Sequence, residues 1–178
     1  NRLPESEQNN SDANSIYAEY QLWYRLHEII DITAGLSENY SVVKSNFFGD
    51  HSGFNMAAFT QVEVRPLNRL KAVAGVRLEN YSLDGTDNEL VPILRAGLNW
   101  RAAEMTFLRA SFGQGYRYPS MAEKFAATTI GSIRIIANPG ILSESGWSTE
   151  AGIKQGILLG NITGQADFSA FLIQNSNM

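Results

Sequence analysis

The sequence predicts an all-β protein, an antiparallel meander of about eight strands that is part of a transmembrane β-barrel. Three observations carry that expectation. Polar and apolar residues alternate with a period of two through eight segments. Each segment is roughly ten residues long, which crosses a bilayer when the strand tilts by ~45°. The connections are short at one end of the meander and longer and more polar at the other. With 178 residues the chain has room for one domain and little for two.

Residues 1–14 are polar and aperiodic and read as a poorly ordered lead-in or a strand edge, ahead of a partial barrel over 15–178. Ile16, Ala18, Tyr20, Leu22 and Tyr24 make the first apolar row. Ile30, Ile32, Ala34 and Leu36 make the second, opposite Asp31, Thr33, Ser37 and Asn39. Phe54, Met56, Ala58, Thr60, Val62 and Val64 oppose a row ending in Glu63 and Arg65. After Pro66–Arg69, Leu70, Ala72, Ala74, Val76 and Leu78 oppose Lys71, Arg77 and Glu79. A helix would scatter Glu63, Arg65, Arg77 and Glu79 around its surface, whereas a strand collects them on one side. Leu94, Ala96, Leu98 and Trp100 face away from Arg95, and Thr106, Leu108, Ala110 and Phe112 face away from Arg109. Trp147, Thr149, Ala151 and Ile153 oppose Glu150 and Lys154; Ile162, Ala166, Phe168, Ala170 and Leu172 oppose Asp167.

Short connections are expected near Trp23–His27, Pro66–Arg69, Arg101–Glu104 and Ile157–Asn161, and long ones at Ser41–Gly53, Leu83–Leu90 and Tyr116–Ser145. Alternation by itself fits a soluble barrel with an apolar interior as well as a membrane barrel with the faces inverted. The sorting of loops by length favours the membrane barrel. Its lumen would then be lined by Glu63, Arg77, Glu79, Arg95, Arg109, Glu150 and Lys154.

Composition narrows the function. Fourteen Lys+Arg against eighteen Asp+Glu give a net charge of -4, which argues against a nucleic-acid partner. No cysteine is present, so disulfides and thiolate metal sites are excluded. No apolar run approaches the ~20 residues of a spanning helix. His27 and His51 are the only histidines and have no ligand partners at metal-site spacing, so they read as surface or turn residues. Asp84–Glu89 packs three acids together without the register of a calcium loop, and reads as a solvated hairpin tip. No hydrolase elbow, phosphate loop or dinucleotide fingerprint occurs. No enzyme, cofactor or metal is expected.

Four segments resemble the C-terminal half of the barrel of TonB-dependent outer-membrane receptors. They are Asn55-Met-Ala-Ala-Phe-Thr-Gln-Val-Glu-Val-Arg-Pro-Leu-Asn-Arg-Leu, Gly75-Val-Arg-Leu-Glu-Asn-Tyr, Tyr116-Arg-Tyr-Pro-Ser-Met-Ala-Glu, and Asn138-Pro-Gly-Ile-Leu-Ser-Glu with Trp147-Ser-Thr-Glu-Ala-Gly-Ile-Lys. Each is weak alone; in this order and spacing they are jointly specific. The likeness runs from about Ser15 to the end, and the Bacteroidetes forms of the family are nearest around Tyr116–Lys154. Ile141 is an insertion against the family pattern, and Ser143 stands where Lys or Pro is usual.

The resemblance implies a fragment of a 22-stranded, plug-filled barrel in the bacterial outer membrane. Such receptors take up scarce ligands such as siderophores, haem, cobalamin or glycans with energy from the TonB complex. The TonB-contacting N-terminal region and the plug would lie outside these residues. Lipid would cover the apolar face, and an isolated fragment would self-associate through its strand edges. Arg117, Tyr118, Glu123 and Arg134 are the candidates to face ligand or plug. The plainer reading of Arg117 is a structural ion pair at a strand end, with Glu123 as partner. Two alternatives stand beside this: a self-contained eight-stranded outer-membrane barrel acting as adhesin or anchor, and a soluble barrel that binds an apolar ligand.

Overall fold

The computed structural model describes residues 10–130 and 132–177, and the side chains of all of these except 87–89, 128–130 and 133. Its elements are β1 (Ser11–His27), β2 (Ile30–Ser45), β3 (His51–Leu67), β4 (Leu70–Leu83), β5 (Thr86–Ala103), β6 (Thr106–Arg117), α1 (Met121–Phe125), β7 (Thr128–Ile130), β8 (Ile133–Ile135), β9 (Glu144–Leu159) and β10 (Ile162–Ser176). Eight strands form one antiparallel sheet in the order β1-β2-β3-β4-β5-β6-β9-β10, and β7 and β8 form a separate small hairpin. The eight expected strands are therefore all present. They run to 12–18 residues rather than ten.

The sheet is open. Among the described residues β1 pairs only with β2, and β10 only with β9. A closed eight-stranded barrel, the expectation shared by both alternatives, is not what forms. The apolar face is correspondingly bare: Ile16 is 72% exposed, Leu22 57% and Phe168 70%. Only Ala57, Leu83 and Met121 are buried hydrophobic residues among those described, and all lie on or against the opposite, charged face. A contiguous apolar surface of this extent requires a covering medium.

The connections depart from expectation in three places. The first short turn is Glu28–Ile29, so Trp23 and Arg25 lie within β1, opposite Thr33 and Asp31. The long loop expected at Leu83–Leu90 is a two-residue turn, Asp84–Gly85, with both residues at positive φ (51° and 75°). Asp-Gly favours this left-handed hairpin turn because its twist matches that of the strands. The residues beyond it pair in β5 instead of forming a loop. The Ser41–Gly53 connection shrinks to 46–50. The third long connection stands, over 118–143, and carries α1, β7 and β8.

Cross-strand partners share a face, and the register assigns one face throughout. Gln21, Gly35, Phe59, Arg77 and Ile93 form a single row across β1–β5. Residues of β1 and β5 line one cavity on this side, so the sheet curves with its charged face inward. Glycine permits the curvature locally: a Cβ on Gly35 would lie 2.6 Å from the Tyr20 carbonyl oxygen and inside the Phe59 ring.

β5 and β6 are paired only from Arg95↔Gly113 to Ala103↔Thr106. Beyond that point they diverge, and the Leu94 N–H is taken instead by the Gln114 side chain at 2.9 Å. Backbone N–H groups alternate sides along a strand, so Pro92 occupies the next position on the same edge and has no hydrogen to offer. Proline on β5 and the flexible Gly113 and Gly115 on β6 thus end the ladder at this height.

Candidate functional site

The strongest constellation lies where β6 ends. Arg117 is opposite Glu144 of β9, and its guanidinium donates to that carboxylate at 2.9 and 2.6 Å. The same guanidinium makes two 3.0 Å bonds to Glu123 of α1. Pro119 ends the strand by removing a ladder donor. Ser120 then caps α1: its hydroxyl accepts from Glu123 N, and the Glu123 carboxylate accepts from Ser120 N at 2.7 Å. Glu123 therefore serves both the helix cap and the arginine. The Arg117 contacts, reinforced by the Ser120 N–H and hydroxyl, hold its carboxyl at about 2, below the ordinary 4.5. The strand-end ion pair with Glu123 is what the structure contains.

This segment folds back over the charged face. Tyr118 stacks on Tyr81 of β4 with centroids 4.2 Å apart, and Tyr116 meets Tyr118 edge-on at 4.7 Å. Met121 lies against Gly53 of β3, where a Cβ would come within 3.0 Å of its methyl. Phe125 stacks on His51, centroids 3.8 Å apart. His51 is the first residue of β3, not a turn residue, and is held at both ring nitrogens, by Asp84 at 2.7 Å and the Phe48 carbonyl at 2.9 Å. Asp84, from the supposed solvated tip, also accepts from Ser52 N at 2.8 Å. Burial would raise the Asp84 carboxyl, but the Ser52 and His51 hydrogen bonds outweigh it and leave the group below its usual range. Arg134, on β8, is exposed and opposite Thr129, away from the Arg117 cluster's contacts. Three of the four ligand-facing candidates, Arg117, Tyr118 and Glu123, thus meet in one cluster, while Arg134 stands apart.

The seven lumen candidates all occupy the charged face, most of them in ion pairs. Near the short turns, Asp31 accepts from Arg25 at 2.9 Å and Arg65 at 2.8 Å; Arg65 also contacts Glu63, which pairs with Lys71 at 2.7 Å. Farther up, Arg77 pairs with Glu79 at 2.7 Å, donates to Ser37 and lies over the Phe59 ring. Arg109 joins Glu150 of β9 at 3.1 Å and both oxygens of Asp167 of β10. It reaches them by lying across Gly152, where a Cβ would come 2.8 Å from its central carbon. Lys154 and Arg95 are the exceptions: neither side chain has a hydrogen bond or ion pair among the described residues. Arg95 lies across Gly75 much as Arg109 lies across Gly152, with its Nε 3.2 Å from where a Cβ would stand, and shares a cavity with Glu19.

Sequence reasoning missed the helix, although Ser120-Met-Ala-Glu123 carries the capping-box spacing. It also missed the Asp31 centre, whose partners come from β1 and β3. No group of three or more His, Cys, Asp or Glu among the described residues could hold a metal. No described helix is long and apolar enough to cross a membrane.

A family model described as TonB dependent receptor-like, beta-barrel matches residues 6–178. Among solved structures, the chain superposes on the copper transporter OprC with a TM-score of 0.77 at 15% identity, covering 96% of this chain and 30% of that one. The hemophore receptor HasR of Serratia marcescens, solved as a double mutant with its hemophore HasA and heme, gives 0.69 at 15% identity, with 92% and 33% covered. The FrpB iron transporter of Neisseria meningitidis (F3-3 variant) gives 0.65 at 14%, with 93% and 28% covered. At these identities the likeness is one of fold, and the chain spans about a third or less of each of these proteins. No curated protein sequence matches the chain.

Proposed function

Because the chain belongs to the TonB-dependent receptor β-barrel family, we propose that it forms one side of the wall of an outer-membrane active transporter. In this reading the charged face lines the lumen, the apolar face meets lipid, and the 118–143 segment stands at the extracellular mouth. The transported ligand is scarce and bulky: a ferric siderophore, haem, cobalamin or a glycan. TonB energises uptake through a region outside these residues, and the chain binds and conducts without catalysing a reaction.

The observation that carries the reading is the separation of faces. Among the described residues, every ion pair between strands lies on one side, while the other leaves Tyr20, Leu36, Met56, Leu78 and Leu98 uncovered. The test is an immunoblot on fractionated source cells with antibody against this chain. An outer-membrane band several-fold heavier than 19.7 kDa, rising when iron or cobalamin is withheld, is the expected result. A band confined to the soluble fraction overturns it.

A further inference from the structure

We propose that the gap between β5 and β6 is a side port for a hydrocarbon tail. The ligand is then an amphiphile whose polar head binds on the charged face while its acyl chain passes outward through the wall. The proposal rests on the transporter reading and narrows the class of ligand.

The gap is built into the sequence of both strands. Continuing the register of Arg95↔Gly113 would set Leu94 opposite Gln114 and give the Leu94 N–H to the Gln114 backbone carbonyl. The Gln114 side chain takes that hydrogen instead, at 2.9 Å, which keeps the strands apart by the reach of a side chain. The next N–H on this edge is missing, because the residue is Pro92. Both positions lie within the apolar band. Leu94 shares its outward row with Val76, Thr60, Ala34 and Leu22, and Pro92 shares the next with Leu78, Ala58, Leu36 and Tyr20. Charged and amide side chains enter the outward rows only above these, at Glu38 and Asn80. At lipid height β5 therefore turns no unbonded N–H toward the gap, and such a donor would be costly in hydrocarbon. An edge stripped of donors is also a poor template for another strand. It suits an occupant that needs no hydrogen bonds.

The two mouths of the gap differ in chemistry. Outside, Leu90 and Leu94 are exposed on the apolar face. Inside, Ile93 borders a cavity of about 360 Å³ together with Phe59 and Gln114. Glu19, Gln21, Arg77 and Arg95 line the same cavity, so it offers amides and both signs of charge. That lining suits a head rich in hydroxyls and amides. The inward positions of β6 beside the gap are Gly113 and Gly115. A Cβ on either would have nothing within 4 Å, and neither glycine has a positive φ. No β6 side chain therefore stands between the cavity and the lipid.

The test uses the native receptor in outer-membrane vesicles and two photoreactive probes. Both are glucosamines with a diazirine on the sugar, one N-palmitoylated and one N-acetylated. After irradiation and peptide mass spectrometry, the palmitoyl probe should label Gln21 and Phe59 about tenfold more heavily than the acetyl probe, because its tail adds buried methylenes. Gly113→Leu puts a side chain into the passage, and Pro92→Val combined with Gln114→Ala restores the missing donor and the backbone rung. Both variants should abolish the palmitoyl advantage and leave acetyl labelling unchanged. Palmitoyl labelling of the cavity that survives both variants overturns the proposal. So does labelling confined to outward residues such as Leu90 and Tyr116, which is the pattern of a bystander lipid. Either result beside a heavy, starvation-responsive outer-membrane band would remove the tail and leave the transporter reading intact.

Discussion

The two ends of the sheet are fastened by the same kind of group to different effect. At the short-turn end, Arg25, Asp31, Glu63, Arg65 and Lys71 link strands that already pair with their neighbours in the sheet, with register shifts only at 25–27 and 64–67. At the loop end, Arg117, Glu123 and Glu144 hold a segment that pairs with no strand of the main sheet. Around them, the Phe125–His51 and Tyr118–Tyr81 stacks supply apolar contact. Ion pairs whose cations reach solvent, as Arg25 and Arg65 do, contribute little where backbone pairing already fixes the geometry. They matter more where they are among the few ties on an otherwise irregular segment. The same chemistry therefore trims stability at one end and sets a conformation at the other.

The largest departure from the wild-type should follow Arg117→Gln. It removes a guanidinium that satisfies two carboxylates, and it leaves Glu123 and Glu144 facing each other. Cleavage of 118–143 by an added protease should rise by about tenfold, with strand content by circular dichroism unchanged. Equal protection in both proteins would mean that the aromatic stacks alone hold the segment. A smaller effect is expected from Asp31→Asn, which keeps the shape of the buried group and weakens its hold on Arg25 and Arg65. Here the heat-denaturation midpoint should fall by a few degrees while protease protection of 118–143 stays as it was. Loss of loop protection in this variant would erase the contrast between the ends.

Acid should have the smallest effect over the range in which such proteins are handled. Glu123 is depressed to about 2 from 4.5, so its contribution is fully present above the ordinary value and fades as pH falls from there toward about 2. The chain has no cysteine, so a nitroxide on Ala127→Cys reports on this segment alone. Its mobility should be flat from neutral pH to about 5 and increase only in stronger acid, nearing completion around pH 2. Release already under way between neutral pH and about 5 would mean that the Glu123 carboxylate is not what holds the segment.

Alternation made the strands legible because the side-chain period is two and one face differs sharply from the other. Face assignments for Glu63, Arg77, Glu79, Arg95, Arg109, Glu150 and Lys154 followed directly from that parity. The turn at Asp84–Gly85 was legible too, but the run of acids after it read as loop composition. The dipeptide's left-handed preference outweighed that composition. What the sequence does not display is convergence across the sheet. Arg109 reaches Asp167 across 58 residues, and Phe125 meets His51 only because α1 crosses above β5 and β4. The pairing of Arg77 with Glu79 was within reach, whereas the solitary state of Arg95 depends on which strands fall beside it.

The parting of β5 from β6 at Leu94 has a mechanical consequence. Above that height the wall is two panels, β1–β5 and β6–β9–β10, joined like a book along the lower part of one seam. The α1 segment leaves the second panel at Arg117 and clamps the first at Gly53, His51 and Tyr81. It is a tie-bar across the gap. Tension on the 118–143 segment is delivered to both panels at once, and the width of the slot is set by a five-residue helix rather than by a hydrogen-bonded ladder.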